Sequence, residues 1–159
     1  MINILFVCLG NICRSPLAEG VLTHLINEKG LDNQIHVDSC GTSDYHIGDS
    51  PDPRTIRNAR ENNIELTSRA RQFTVSDFEE FDYILAMDDS NYQNIVRLDP
   101  EGQYGDKVLL LRDHDPENRG ADVPDPYFGG QDGFQDVFEI VNRSVNTFLD
   151  QLIEDHSLQ

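Results

Sequence analysis

Short apolar runs alternate along this chain with stretches in which hydrophobic residues return every three or four positions, the signature of an α/β protein with a mostly parallel sheet. Four runs read as strands, at 2–7, 34–37, 83–87 and 107–111. Between the first two, Leu17, Ala18, Val21, Leu22, Leu25 and Ile26 repeat at helical spacing, beginning after Ser15-Pro16 and stopping at Gly30. A strand, a loop, a helix and a second strand are therefore expected in that order. Asp52-Pro53 supplies an N-cap and a first helical residue for a helix to about residue 62, and Thr74 or Ser76 opens a short one before the third strand. A further helix is expected over 90–98. The last helix is the clearest, because Phe134, Val137, Phe138, Val141, Val145, Phe148, Leu149 and Leu152 fall on one stripe. Residues 112–133, "RDHDPENRGADVPDPYFGGQDG", are rich in Pro, Gly and Asp and predict a long loop, which in a compact domain is usually functional or disordered.

Composition narrows the picture. A chain of 159 residues without internal repeats or a low-complexity linker is expected to form one domain over 1–159, large enough for an ordinary hydrophobic core. Twelve Lys and Arg against 29 Asp and Glu leave a net charge of −17, which repels nucleic acid and anionic membrane surfaces at long range. That balance leaves two expectations open: substrates with basic flanks, or simple solubility. No apolar stretch approaches the ~18 residues of a membrane span, and "MINILFVCLG" lacks the basic start and cleavage site of a secretory signal. The chain is thus expected to begin where the sequence does. Three cysteines, Cys8, Cys13 and Cys40, match neither a disulfide framework nor a zinc spacing, so reduced thiols in the cytoplasm are expected, with no metal and no cofactor.

The chemistry concentrates in "CLGNICRS", residues 8–15, directly after the first strand. In parallel α/β sheets ligands bind beyond the carboxyl ends of the strands. Successive amides leading into a helix N-terminus form a nest that suits a phosphate. Gly10 permits backbone angles that other residues resist, and Asn11 tolerates the left-handed region while offering an amide to fix the loop. Neither the nucleotide P-loop pattern nor the dinucleotide fingerprint is present. Arg14 offers a planar fork to two phosphate oxygens, and an arginine beside a helix N-terminus favours thiolate over thiol at Cys8, a preference that the Ser15 hydroxyl can reinforce. A lone cysteine at a strand end is ordinarily a small buried hydrophobe. A thiolate at the base of an anion nest has a further use, attack on phosphorus.

The run "VCLGNICRSPLAEGVL" resembles the N-terminal signature of the low-molecular-weight protein tyrosine phosphatases. The likeness continues through "VDSCGTSDYHIGD" (37–49), "RARQF" (69–73), "FDYILAMDDSN" (81–91) and "DPYFG" (125–129) in that family's order and spacing. The resemblance implies a flavodoxin-like four-stranded parallel sheet, order 2-1-3-4, flanked by helices. It implies Cys8 as nucleophile forming a cysteinyl-phosphate, and Arg14 with the amides of Leu9, Gly10, Asn11, Ile12, Cys13 and Arg14 as the phosphate-binding loop, Ser15 completing it. Asn11, Ser15 and Ser39 would support the loop. Asp125 would be the general acid and base, with Asp122, which lacks the following proline and aromatic, as the competing candidate. Leu9, Tyr45, Tyr127 and Phe128 would wall a slot deep enough for phosphotyrosine. Cys13 would be able to pair reversibly with Cys8, whereas Cys40 reads as packing.

Ile12 stands where members that act on phosphoarginine carry threonine, which favours phosphotyrosine. Two departures from the family pattern are Ser68, where a histidine is frequent, and Tyr127-Phe128, where vertebrate members have two tyrosines. Expected partners are phosphotyrosine-containing proteins, with inorganic phosphate as product, no nucleic acid and no membrane insertion. The competing functions are a phosphoarginine phosphatase, a thioredoxin-coupled arsenate reductase, whose two further cysteines after the third strand are missing here, and an inactive phosphoprotein-binding module.

Overall fold

A computed structural model describes residues 1–129 and 131–159, leaving aside the side chains of residues 128, 131 and 132. Four parallel strands, β1 (Ile2–Cys8), β2 (Ile35–Gly41), β3 (Tyr83–Ala86) and β4 (Val108–Leu110), lie in the order β2-β1-β3-β4. Among the described residues five α-helices accompany them: α1 (Arg14–Glu28), α2 (Pro53–Glu61), α3 (Asp77–Glu80), α4 (Asp89–Val96) and α5 (Gln131–His156). This is the sheet and strand order that the sequence resemblance implied.

The alternation of β1 explains the layering. Ile4, Phe6 and Cys8 point to one face, where they pack with Leu17, Val21 and Leu22 of α1 and with Val141, Val145 and Phe148 of α5. Leu5 and Val7 point to the other, against Phe73, Phe78, Phe81 and Ile95. A strand covered on both faces becomes an apolar run, as "ILFV" is. Because β1 lies between β2 and β3, the chain reverses its direction of winding there, and a crevice opens beyond their carboxyl ends. Residues 8–13 lie at the end of β1, and Met87-Asp88 at the end of β3.

Several boundaries differ from those expected. β2 continues through Asp38, Ser39, Cys40 and Gly41, four residues beyond the apolar segment, pairing Leu5 with Asp38 and Cys8 with Gly41. Its end is polar in sequence yet sits within the fold, because the buried Ser39 hydroxyl accepts from Asn11 in the loop after β1 and the half-buried Asp38 carboxylate accepts from Arg71. Gly41 is required there: a Cβ would stand 2.6 Å from the Leu9 carbonyl oxygen. β3 and β4 are shorter than expected. Helix α1 starts at Arg14, ahead of Pro16, so the arginine belongs to its first turn. It ends at Glu28, and Gly30 turns the chain with φ 69°. Asp52 caps α2 through the Arg54 amide, with Pro53 first in the helix. Helix α4 covers 89–96 rather than 90–98, and the long loop is anchored by short 3-10 turns at Leu111–His114 and Pro126–Phe128.

Candidate active site

The loop after β1 is built to leave its amides free. Its carbonyl oxygens are turned outward to fixed donors: Thr42 N–H donates to Cys8, Ser43 N–H and hydroxyl to Leu9, and Asp52 N–H to Ile12, at 2.8–3.0 Å. Among the described residues, the amides of Leu9, Gly10, Ile12 and Cys13 have no protein acceptor. Helix α1 also begins without a side-chain cap and without an acid in its first turn, so its first N–H groups are unpartnered. Unpaired donors converging on a helix N-terminus suit an anion.

The sharp turn depends on Asn11, which adopts φ 58° and is buried. Its Nδ2 donates to Ser15 Oγ at 2.8 Å and to Ser39 Oγ at 3.0 Å, while its Oδ1 accepts from Arg71 N–H at 3.1 Å. These bonds offset the cost of a left-handed non-glycine residue. The Ser39 hydroxyl in turn donates to Glu19 Oε1 at 2.6 Å. Burial raises the pKa of Glu19, and the Ser39 hydrogen bond opposes that rise.

Cys8 Sγ lies at the base of this turn. It accepts the Asn11 N–H at 3.3 Å and sits 3.0 Å from Ser15 Oγ, which besides accepting from Asn11 Nδ2 lies 3.2 Å from the Cys40 carbonyl. A hydroxyl placed between a sulfur and a carbonyl donates to whichever carries more negative charge. Ser15 therefore supports a thiolate as readily as a thiol.

Arg14 is buried and held on two sides. One terminal nitrogen donates to Asp88 Oδ2 at 2.6 Å and to the Val123 carbonyl at 3.0 Å; the other lies 3.5 Å from Asp125 Oδ2. Burial alone would lower the pKa of Arg14, but Cys8, Asp88 and Asp125 together raise it, so the guanidinium keeps its charge. Asp88 is itself fixed, capping α4 by accepting Asn91 N–H at 2.7 Å.

Cys8, Leu9, Gly10, Ile12, Cys13, Arg14, Tyr45, His46, Asp125 and Tyr127 line one slot of about 170 Å³. The three expected reacting residues and three of the four expected wall residues thus meet in one place. The fourth, Phe128, has its side chain outside the described residues. Asn11, Ser15 and Ser39 hold the loop through their side chains and do not line the slot. Asp122 does not line it either; its carboxylate accepts the Asp89 amide at 2.9 Å, at the start of α4. Asp125 accepts Tyr127 N–H at 3.0 Å and keeps its other oxygen toward Arg14.

Burial pushes the Cys13 thiol up to about 12 and the Cys40 thiol well above its ordinary value, so both stay protonated at neutral pH. Where the family histidine is frequent, Ser68 makes no bond to Asn11, whose Oδ1 is taken by the Arg71 amide. Among the described residues, no group of three or more His, Cys, Asp or Glu side chains could hold a metal ion.

Sequence reasoning missed three contributors. The one local signal at Asp88 is that an Asp followed by Asp-Ser-Asn after a strand can cap a helix, and that signal says nothing of Arg14. Arg54 bonds Asp52 and the Tyr127 carbonyl and lies over the Tyr127 ring at 5.4 Å, tying the acid loop to α2. His46 walls the slot from the 42–49 segment, and nothing local in the sequence marks it.

A parallel sheet that presents a cysteine and a buried arginine around a loop of free amides defines a cysteine-dependent phosphatase. Residues 3–158 match the family described as low molecular weight phosphotyrosine protein phosphatase, and the chain belongs to it. It is 46% identical over 147 residues to the low molecular weight phosphotyrosine protein phosphatase of Schizosaccharomyces pombe, covering 91% of this chain and 94% of that one. A crystal structure of a protein tyrosine phosphatase from Entamoeba histolytica superposes with a TM-score of 0.93 at 38% identity, covering 98% and 99% of the two chains. The drosophila arginine phosphatase is also similar, with a TM-score of 0.87 at 31% identity and coverage of 94% and 96%.

Proposed function

We propose that this enzyme hydrolyses phosphotyrosine in proteins through a cysteinyl-phosphate on Cys8. The observation that carries the reading is the convergence of Cys8, Arg14 and Asp125 in one slot lined by Leu9, Tyr45 and Tyr127. The thiolate of Cys8 attacks phosphorus, and the bond from phosphorus to the tyrosyl oxygen breaks. Asp125, protonated, gives its proton to the departing phenolate. Arg14 and the free amides of the loop hold the non-bridging oxygens while charge shifts onto them, an electrostatic role that rewards donors fixed in advance. The Asp125 carboxylate then takes a proton from water, whose oxygen attacks phosphorus; the S–P bond breaks and inorganic phosphate leaves.

The aromatic walls support phosphotyrosine over phosphoserine, whose short side chain does not reach the base of a slot. Similarity to an arginine phosphatase makes phosphoarginine the second reading. Ile12 argues for the first: it lies among Cys13, Ala70 and Phe134 and presents an apolar surface to the slot. Three free cysteines support substrates in a reducing cytoplasm, and no helix of the described residues is long and apolar enough to cross a membrane.

The test is turnover of p-nitrophenyl phosphate at mildly acidic pH. Cys8→Ser is expected to abolish it, and Asp125→Asn to slow it by about 10²-fold or more. Unchanged turnover in Cys8→Ser contradicts the mechanism. Phosphotyrosine is expected to outpace phosphoarginine, and Ile12→Thr to narrow the gap; equal wild-type rates on both overturn the specificity.

A further inference from the structure

A phosphotyrosine seated in the slot is attached to a polypeptide, and that polypeptide must leave across the surface of the enzyme. Next to the slot lies a second, larger groove of about 600 Å³, between the 42–45 segment, the 72–75 segment and the C-terminal end of α4. Leu9 and Tyr45 line both cavities, so the groove begins at the mouth of the slot.

The exposed apolar side chains of this protein are concentrated there. Among the described residues seven large hydrophobic side chains are exposed, and four of them, Leu9, Tyr45, Val75 and Leu98, line this groove. Val75 is 59% exposed and Leu98 46%. Tyr127 belongs to the slot, leaving only Ile47 and Met1 elsewhere. Scattered exposed hydrophobics are ordinary, whereas a contiguous set marks a site of interaction. The groove is also nearly neutral. Its charged side chains are Asp44 and Arg97, of opposite sign, in a chain of net charge −17.

We propose that this groove binds the substrate segment flanking the phosphotyrosine and selects a large apolar side chain there, on one side of the phosphorylated residue. The inference rests on the phosphotyrosine reading above and specifies the sequence around the target. The occupant is a substrate peptide because the groove is continuous with the slot. A second copy of this chain would bring its own large negative charge against the first. Neutral lining also means that the acidity of the whole molecule does not translate into a demand for basic flanks at this surface.

The test uses the full chain and peptides with one phosphotyrosine in an alanine background, with a single leucine moved from four residues before it to four after, a reach of ~13 Å each way. Leucine is expected to raise kcat/KM about tenfold at one or two positions on one side only. Val75→Ser and Leu98→Ser, both at exposed positions, are each expected to reduce that gain severalfold while leaving p-nitrophenyl phosphate turnover unchanged. A flat leucine profile with intact p-nitrophenyl phosphate turnover overturns the groove and leaves the phosphatase reading standing. A gain undiminished in both variants overturns it as well, as does a lysine series that outperforms the leucine series. A flat profile together with a concentration-dependent dimer lost in Leu98→Ser assigns the groove to a second copy and overturns the proposal. Absence of turnover on every substrate removes the phosphatase reading, and the peptide occupant with it.

Discussion

Arg14 is the residue on which the slot turns, and its orientation comes from a carboxylate 74 positions away in the chain. Asp88 holds one terminal nitrogen at 2.6 Å while capping α4 with its other oxygen. A hydrogen bond to a charged group contributes about 1.5–3 kcal/mol. Asp88→Asn retains an acceptor for the helix cap but gives up the charge, so kcat/KM for p-nitrophenyl phosphate is expected to fall about 10- to 100-fold, with a thermal midpoint close to that of the wild type. A variant with full activity, or one whose lost activity merely tracks lost stability, contradicts a positioning role for Asp88. The neighbouring cysteines differ by environment. Cys8 faces the slot with donors around its sulfur, whereas burial keeps Cys13 and Cys40 protonated.

At the scale of elements, the loop that carries Asp125 is secured by residues that do not line the slot. Asp115, fully buried, accepts from Arg112 Nε at 2.8 Å and from two nitrogens of Arg143 on α5 at 2.8 and 3.1 Å. Arg112 in turn donates to the Asp122 carbonyl at 2.7 Å. Burial pushes the Asp115 carboxyl up, but hydrogen bonds from Arg143, the Glu117 amide and Arg112 outweigh it and hold the group well below the ordinary carboxylate range. Breaking such a buried cluster costs about 3–5 kcal/mol, and that loss is expected for Asp115→Asn in chemical denaturation at pH 7. A carboxyl depressed on folding contributes in full above its unfolded value, near pH ~4, and loses that contribution as pH falls through the folded one. The gap between wild type and Asp115→Asn should therefore narrow below about pH 4; a gap of constant size refutes this linkage.

The helices and strands that bury an apolar face were legible because their spacing is a physical requirement of burial. The stripe of α5 and the run of β1 are examples. The polar end of β2 was not, since the half-buried Asp38 and the buried Ser39 are matched there by partners on other segments. The loop of residues 8–15 was legible as an anion nest because its elements are contiguous. Asp88, Arg54 and His46 were not, since each acts on the site from a different segment.

For the whole molecule, a net charge of −17 surrounds a site that must attract a phosphate. The attraction is local, from Arg14 and the free amides, and the long-range field opposes it. Screening is substantial once the Debye length falls to ~8 Å at physiological ionic strength. Raising sodium chloride from about 10 mM to about 150 mM is therefore expected to increase kcat/KM for p-nitrophenyl phosphate, by about twofold. A marked fall would show instead that cations near the slot dominate its field. The central claim is that the phosphoryl group passes through sulfur. Phosphorus NMR of enzyme denatured during turnover tests it most directly: an S-phosphoryl resonance is predicted in the wild type and none in Cys8→Ser, whereas a wild-type adduct on nitrogen or oxygen in place of sulfur would contradict it.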